Sequence, residues 1–411
     1  MATILAYTSP ALGHLLPMSA LLVELARRGH TVHVRTLSAG VETARRLGFV
    51  AEPIDPRIET IEIDDWQATN PREALKIGVA AFGHRAGYEI TDLADAVRQA
   101  EPDALLVDVN CWGAQSLADS GTVPWASFAP YTVPLRADGV PPFGLGLPPR
   151  AGPAGRIRDA AVRAAVVGPL EKIMLPPINR VRAKVVVAQV DSMDEFLRRA
   201  PLILLASGKP FQYPATEWGD AVQMIGPCVL DRAGDVAPDW LGAIDRPVVL
   251  VTTSSEKQAD ADLVTVAVQA LADEPVHVVA TMPAGLPPGM ESTANSTVCE
   301  FIPHALVLDR AVCAVTHGGM GATQKALARG IPVCVVPYGR DQLEVARRVE
   351  VARCGTRLPA RRLTPDRLRD KVREAMRMTE GARRVAAGFA ATGGVSHGAD
   401  VVERRLLGRT R

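Results

Sequence analysis

The feature that most restricts what this chain can fold into is the alternation of strand and helix signals over its first 36 residues. Ile4, Leu5 and Ala6 form an apolar run, after which Gly13 and Pro17 punctuate a turn into a helix. On that helix Met18, Leu21, Leu22 and Leu25 recur on one face, and Gly29 ends it. Thr31–Thr36 then alternates apolar and polar side chains, as a half-buried strand does. A strand–helix–strand opening of this kind calls for a parallel sheet with a right-handed crossover. Apolar runs at Ala104–Val107, Pro124–Phe128 and Leu202–Ala206 extend the same sheet.

The pattern resumes after residue 240, with strands expected at Pro247–Thr253, Val276–Ala280, Val312–Thr316 and Pro332–Val336, and helices from about Asp262, Gly321 and Gln342. A chain of 411 residues has room for two such domains, each with its own core. The expected class is therefore α/β, with two Rossmann-like domains facing across a cleft. The expected boundaries are 1–210 for the first domain, 211–240 for a linker, 241–392 for the second domain, and 393–411 for a C-terminal helix packing back on the first. Residues 132–155, rich in Pro and Gly, read as a long surface loop beside the cleft, followed by a helical stretch at about 156–199. Ligands of such sheets sit at the carboxyl ends of the strands, which places the expected site in the crevice between the domains.

Charge and composition narrow the function. Lys and Arg number 46 against 45 Asp and Glu, a net charge of +1 that gives no electrostatic reason to expect nucleic acid or an anionic membrane as partner. The six cysteines form no CxxC pair and no cluster with metal-ligand spacing. No run approaches the roughly 20 apolar residues needed to span a bilayer. The chain begins directly with a strand, so a reducing cytoplasm is the expected compartment.

The most informative stretch is Thr316-His-Gly-Gly-Met-Gly-Ala-Thr-Gln-Lys-Ala-Leu327. A strand ends, three glycines let a ligand approach the backbone, and the free N–H groups of a helix start favour an anion. His317 can donate to a phosphate oxygen, so the parts form a diphosphate cradle. A tight strand–helix turn with a structural His would show the same residues. Upstream, Phe301-Ile-Pro-His304 offers a flat ring and backbone polar groups suited to a nucleobase. Downstream, Pro337-Tyr-Gly-Arg-Asp-Gln342 offers a carboxylate and an amide of the kind sugar hydroxyls require, unless Asp341 and Gln342 simply open the next helix.

In the first half, His14 sits at a helix start, where positive potential is expected to depress its pKa and keep it neutral as a base toward an acceptor hydroxyl. Asp108 ends the fourth expected strand. In the doubly wound order 3-2-1-4, strands one and four are neighbours, so Asp108 can orient His14. Helix capping is the structural alternative for Asp108.

The order of these pieces resembles family 1 glycosyltransferases of the two-domain GT-B fold, especially bacterial members acting on macrolides, flavonoids and other natural products. The resemblance covers nearly the whole chain and is tightest over residues 299–357. It implies an inverting, metal-independent enzyme without a cofactor, moving a sugar from a UDP- or dTDP-sugar to a small apolar acceptor. It makes His14 and Asp108 the base dyad, His317 the diphosphate ligand, and Gly319 and Gly321 the glycine turn, with Met320 beside them. Asp341 and Gln342 match the pair holding the sugar hydroxyls; Phe301 replaces a base-stacking Trp, and His304 a Gln, with Ile302 between them. Ser254 and Ser255 match a turn touching the phosphates. Ala322 stands where Ser or Thr is usual, and Lys325 where a Glu usually accepts from the ribose hydroxyls; an ammonium only donates, which leaves UDP against dTDP open. The first domain is then expected to bind the acceptor and the second the nucleotide sugar. Trp66, Phe82, Trp112, Phe128, Tyr131 and Phe143 are the expected aromatic wall of the acceptor pocket, with ordinary packing as the alternative for each. The protein is expected as a monomer or homodimer.

Other motifs carry less. Ala206-Ser-Gly-Lys-Pro210 lacks the upstream Gly and the Ser/Thr of a P-loop, and Asp260-Ala-Asp262, though shaped like a metal–nucleotide DxD, falls at a helix start. There is no GxSxG elbow, and the first turn has no GxGxxG. Two rival readings stay open: a nucleotide-sugar epimerase on the same scaffold, and a catalytically silent nucleotide-sugar-binding homologue.

Overall fold

Two parallel sheets organise the protein. The first contains β1 (Thr3–Tyr7), β2 (Thr31–Thr36), β3 (Val50–Pro53), β4 (Ala104–Asp108), β5 (Trp125–Ala129), β6 (Ile203–Leu205) and β7 (Val222–Met224) in the order β3-β2-β1-β4-β5-β6-β7. The second contains β8 (Val248–Thr252), β9 (His277–Thr281), β10 (Ser296–Cys299), β11 (Ala311–Thr316), β12 (Val333–Val335) and β13 (Gly355–Arg357) in the order β10-β9-β8-β11-β12-β13. The computed structural model describes residues 1–230, 236–256 and 258–408; residues 231–235 of the expected linker and 409–411 of the expected C-terminal helix lie outside them.

Strand alternation distributes each sheet's side chains between two cores. Ile4 and Ala6 join the helix Leu12–Arg27 on one face, whereas Leu5 and Tyr7 join Leu93, Leu105 and Val107 on the other. In the second sheet Val248 and Leu250 face one core, and Val249 and Val251 the opposite one. Burial on both faces is why these strands read as continuous apolar runs.

The segment expected to be linker is not all linker. Its middle forms β7, which pairs with β6 and becomes the edge strand of the first sheet. Only three residues long, and set among Pro and polar residues, it carries too short an apolar run to stand out. At the other end, helix Gly394–Arg405 returns to the first domain, where Ala399, Val401 and Val402 enter the core around Leu21 and Leu25. Arg28 secures it by donating to Glu403 (2.8 Å) and to the carbonyl of Ser396 (2.8 Å).

The expected long helical stretch divides into Gly152–Val162, a π-helical turn at Arg163–Val167, Gly168–Lys184 and Met193–Arg198. The Pro/Gly-rich segment before it reaches across to the second domain. The N–H groups of Gly144 and Gly146 donate to Glu344 Oε1 at 2.9 and 2.8 Å, on the helix Gln342–Val351. Glu344 also holds Arg348 (2.8 Å), and Arg348 Nε donates to Gln212 (3.0 Å), so one buried polar network joins the domains behind the cleft.

The helix Trp112–Ser120, which follows the end of β4, lies against the long helix Pro71–Ala100 at Gly113. A Cβ there would come within 2.0 Å of the Ala86 carbonyl oxygen. Gly113→Ala is therefore expected to cost about 1–3 kcal/mol by overpacking, read as a lower urea midpoint at unchanged slope. An unchanged midpoint would contradict this close approach.

Candidate functional site

The register of β1 and β4 builds the first half of the site. Tyr7 lies opposite Val107, so Asp108 and the turn after β1 leave the sheet at the same edge. His14 occupies the third position of helix Leu12–Arg27 and places Nδ1 2.7 Å from Asp108 Oδ2. Asp108 is fully buried, and its other oxygen accepts from the backbone N–H of Asn110 (2.8 Å). A carboxylate in that position requires a proton on Nδ1, which leaves the Nε2 lone pair toward the cleft when the ring is neutral.

The expectation that the helix start lowers the pKa of His14 is overturned. Burial does lower it, but Asp108, through charge and hydrogen bond, together with Asp341 and Glu256, raises it net above the ordinary histidine value. Four carboxylate-facing contributions outweigh a helix dipole that fades within a turn. Around the ring, Tyr131 meets His14 edge-on at 5.9 Å, and its hydroxyl donates to Asn110 Oδ1 at 2.6 Å. Asn110 Nδ2 in turn lies 3.4 Å from His14 Nε2. Asn110 escaped the sequence reading; its one signal is that it follows Asp108 by two residues at a strand end.

The second domain supplies the facing wall. Gly318, at φ 97°, takes a left-handed conformation that favours glycine, and a Cβ there would come within 2.9 Å of Gln342 Cβ. A Cβ on Gly319 would lie 2.4 Å from His317 Nε2, so the ring rests directly on the turn that starts helix Met320–Ala328. Gly321 faces open space, with Ala322 half-buried beside it. Met320, in contrast, points into the core, as does Ile302, so the side chains of both serve packing. Phe301 is 70% exposed, free to meet a planar group. His304 begins helix His304–Leu308 with Nε2 3.1 Å from Thr281 Oγ1; burial and the nearby Lys325 charge push its pKa down to about 4.

Ser254 donates its backbone N–H to Asp260 Oδ2 (2.7 Å), while its hydroxyl accepts from Glu256 N–H (3.1 Å) and Gln258 Nε2 (2.9 Å). Ser255 is exposed next to it. Asp260 thus does more than meet a helix dipole: it fixes the turn after β8, and its Oδ2 lies 3.8 Å from His317 Nδ1. Burial lowers the pKa of His317, and Asp260 opposes that shift.

Asp341 precedes helix Gln342–Val351 without capping it, and burial pushes its pKa up to about 6. Gln342 differs from expectation. It is buried, its Oε1 accepts from the N–H groups of Tyr338 (2.7 Å) and Gly339 (3.0 Å), and its Nε2 donates to Gln258 (2.5 Å). Its amide therefore shapes the 338–341 turn around Asp341. Arg340, in the left-handed region at φ 51°, reaches the first domain and donates to both oxygens of Asp65 at 2.9 and 2.7 Å.

The six aromatic residues do not form one wall. Phe128 is wholly in the core, because the strand alternation of β5 turns it away from the cleft. Phe82 and Trp112 stack at 5.3 Å among Val79, Ile178 and Val181, packing helix on helix. Trp66, beside Asp65, crosses to the other side and lines a cavity of about 210 Å³ with Thr253, Gln258, Asp260 and Met282. Phe143 is half-buried on the loop docked to Glu344. Tyr131 alone of the six touches His14.

A two-domain α/β protein with a His–Asp pair on one wall and a glycine-rich helix start on the other has the build of a sugar-nucleotide-dependent group transferase. Residues 265–402 match the family model described as erythromycin biosynthesis protein CIII-like, C-terminal domain. The chain is 30% identical over 423 aligned positions to 4'-demethylrebeccamycin synthase of Lentzea aerocolonigenes, covering 98% of this chain and 99% of that protein. The glycotransferase of kitacinnamycin shares the fold at TM-score 0.76, with 24% identity over 98% of this chain and 99% of that one. The glycosyltransferase VinC, solved in complex with dTDP, does so at TM-score 0.70 and 19% identity over 99% and 100%. The chain belongs to the bacterial natural-product branch of the family 1 glycosyltransferases, enzymes of the GT-B fold. No helix among the described residues is long and apolar enough to cross a membrane.

The pair can be probed without substrate. Asp108→Asn removes the charge that raises His14 while burial still lowers it, so the ring should titrate at lower pH than in wild type by NMR. An unmoved titration would show that Asp108 does not control His14.

Proposed function

We propose that this glycosyltransferase moves a hexose or deoxyhexose from a UDP- or dTDP-sugar to a hydroxyl of a small apolar acceptor, inverting the anomeric centre without a metal or cofactor. The observation that carries this reading is the 2.7 Å His14–Asp108 bond at the edge of the first sheet, facing Asp341 and Glu256 of the second domain closely enough for both to raise the His14 pKa. Base and donor-side residues meet across one cleft.

In the proposed reaction the acceptor oxygen forms a bond to the anomeric carbon from the face opposite the leaving group. Its proton passes to His14 Nε2, and Asp108 stabilises the imidazolium that results. The bond between the anomeric carbon and the diphosphate oxygen breaks, and its electron pair leaves with the diphosphate. The helix start at Gly319–Gly321, with the backbone N–H of Ala322, and His317 receive that growing charge, a role helix N-termini fill well. Ser254 and Ser255 lie on the neighbouring turn. Asp341 accepts from sugar hydroxyls, its turn held in shape by Gln342, and Phe301 covers the base. Lys325, in place of an acceptor for ribose hydroxyls, and the dTDP held by VinC both favour testing dTDP-sugars beside UDP-sugars.

The test offers UDP-glucose and dTDP-glucose with phenolic and macrolide acceptors, and follows the added hexose by mass spectrometry. Wild type should form product with at least one pair. His14→Ala should lose transfer by about 10²–10⁴-fold, the usual worth of a general base, while nucleotide diphosphate affinity stays near wild type. Equal loss of transfer and nucleotide affinity would overturn the base assignment. Because His14 must be neutral to act and its pKa is raised, kcat/KM should climb with pH through a midpoint above the ordinary histidine value of about 6.5. A midpoint below it would contradict the cleft electrostatics.

A further inference from the structure

We infer that Asn110 is a second contact for the acceptor hydroxyl: its amide N–H donates to the oxygen whose proton His14 removes. This rests on the transferase reading above and adds a residue to it.

Two hydrogen bonds fix Asn110, one from its backbone and one to its side chain. Its backbone N–H donates to Asp108 Oδ1 (2.8 Å), which ties it to the carboxylate that orients His14. Its Oδ1 accepts from the Tyr131 hydroxyl (2.6 Å), so the NH₂ group is the end that faces the imidazole. Nδ2 then stands 3.4 Å from Nε2, the ring nitrogen left with a lone pair by the Nδ1–Asp108 bond. At 3.4 Å this is a long, weak contact between donor and acceptor, one that a better-placed partner can replace.

Two atoms that far apart share a region within about 2.9 Å of both, ordinary hydrogen-bond distance. A hydroxyl oxygen seated there donates its proton to Nε2 and accepts from Nδ2 at once. As the proton leaves, negative charge gathers on that oxygen, and the Asn110 bond becomes charge-assisted and stronger. A donor whose interaction grows toward the transition state lowers the barrier more than it tightens ground-state binding. The same geometry discriminates among acceptor groups. A hydroxyl has both a proton to give and lone pairs to offer, whereas a carbon nucleophile has none for Nδ2.

The variants Asn110→Ala, Asn110→Asp and Tyr131→Phe separate this role from simple packing, measured with the donor–acceptor pair that wild type uses. Asn110→Ala should lower kcat by about 10²-fold or more, the scale of one lost oxyanion donor, with nucleotide diphosphate affinity unchanged. Tyr131→Phe, which frees the amide to turn, should lose less. Asn110→Asp puts a fourth carboxylate beside Asp108, Asp341 and Glu256 around the ring, opposite the edge of Tyr131. It should move the acidic limb of kcat/KM to higher pH, an effect a packing residue would not produce. In the free protein, ¹⁵N NMR should find neutral His14 protonated on Nδ1 and bare at Nε2, and should find its titration raised in Asn110→Asp. An Asn110→Ala enzyme with wild-type kcat while His14→Ala is inactive would overturn the Asn110 assignment alone, whereas a proton on Nε2 in neutral wild type would overturn both that assignment and Nε2 as the base. An active His14→Ala enzyme would overturn the transferase base itself, and this inference with it.

Discussion

The site depends on one constraint, the adjacency of β1 and β4. Parallel strands in the order β3-β2-β1-β4 bring the end of the fourth strand beside the turn after the first, although 94 residues separate Asp108 from His14. A different strand order would leave both residues at a sheet edge but out of reach. Because Asp108 is fully buried, its charge must be satisfied locally, and His14 Nδ1 and the Asn110 N–H do so together. The Asp108 carboxylate is therefore stabilised by the same two groups that it positions for chemistry.

The second sheet matters only if it is held opposite the first at a fixed distance. Three contacts do this at different depths. Behind the cleft, Glu344 receives Gly144 and Gly146 and pairs with Arg348, which reaches Gln212. A buried pair of this kind earns little net stability, but losing one partner strands the other, so it specifies one arrangement. Gln324 Nε2 donates to the carbonyl of Ala206 (2.9 Å) at the domain junction. At the mouth, Arg340 grips Asp65, and that exposed contact is the one that can open without disturbing a core. Next to Asp65, Trp66 lies against the turn after β8 with Thr253, Gln258 and Asp260, apart from the other aromatic residues expected beside it.

The sequence made legible whatever has a local signature. Apolar runs located most strands, the glycines of 318–321 marked the turn into helix Met320–Ala328, and strand order paired His14 with Asp108. What it concealed is set by side-chain direction in three dimensions. Phe128 lies at a strand end beside the cleft, but its position in the two-residue alternation of β5 turns it inward. Ile302, next to exposed Phe301, and Met320, in the glycine turn, pack into the core for the same kind of reason. β7 is too short for periodicity to register. Asn110, Gln342 and Asp260 act through hydrogen bonds to partners distant in sequence or across a loop, and no spacing rule encodes those.

The charge around His14 shows how the pieces act on one another. Asp108 holds the ring by a 2.7 Å bond, and Asp341 and Glu256 add negative potential that helps raise the His14 pKa. Burial lowers His14 while pushing Asp341 up to about 6 and raising Glu256. Arg340 pulls both carboxylates back toward ionisation, and His14 does the same when charged. His14 and Asp341 thus each favour the other's charged form, and a proton that His14 gains is stabilised by the carboxylates around it. A base poised in this way accepts a hydroxyl proton more readily than an isolated histidine, at the cost of being charged more of the time near neutrality. In the proposed reaction this arrangement favours proton transfer once an acceptor is seated, and the groups that keep Nε2 bare before then matter as much as the imidazole itself.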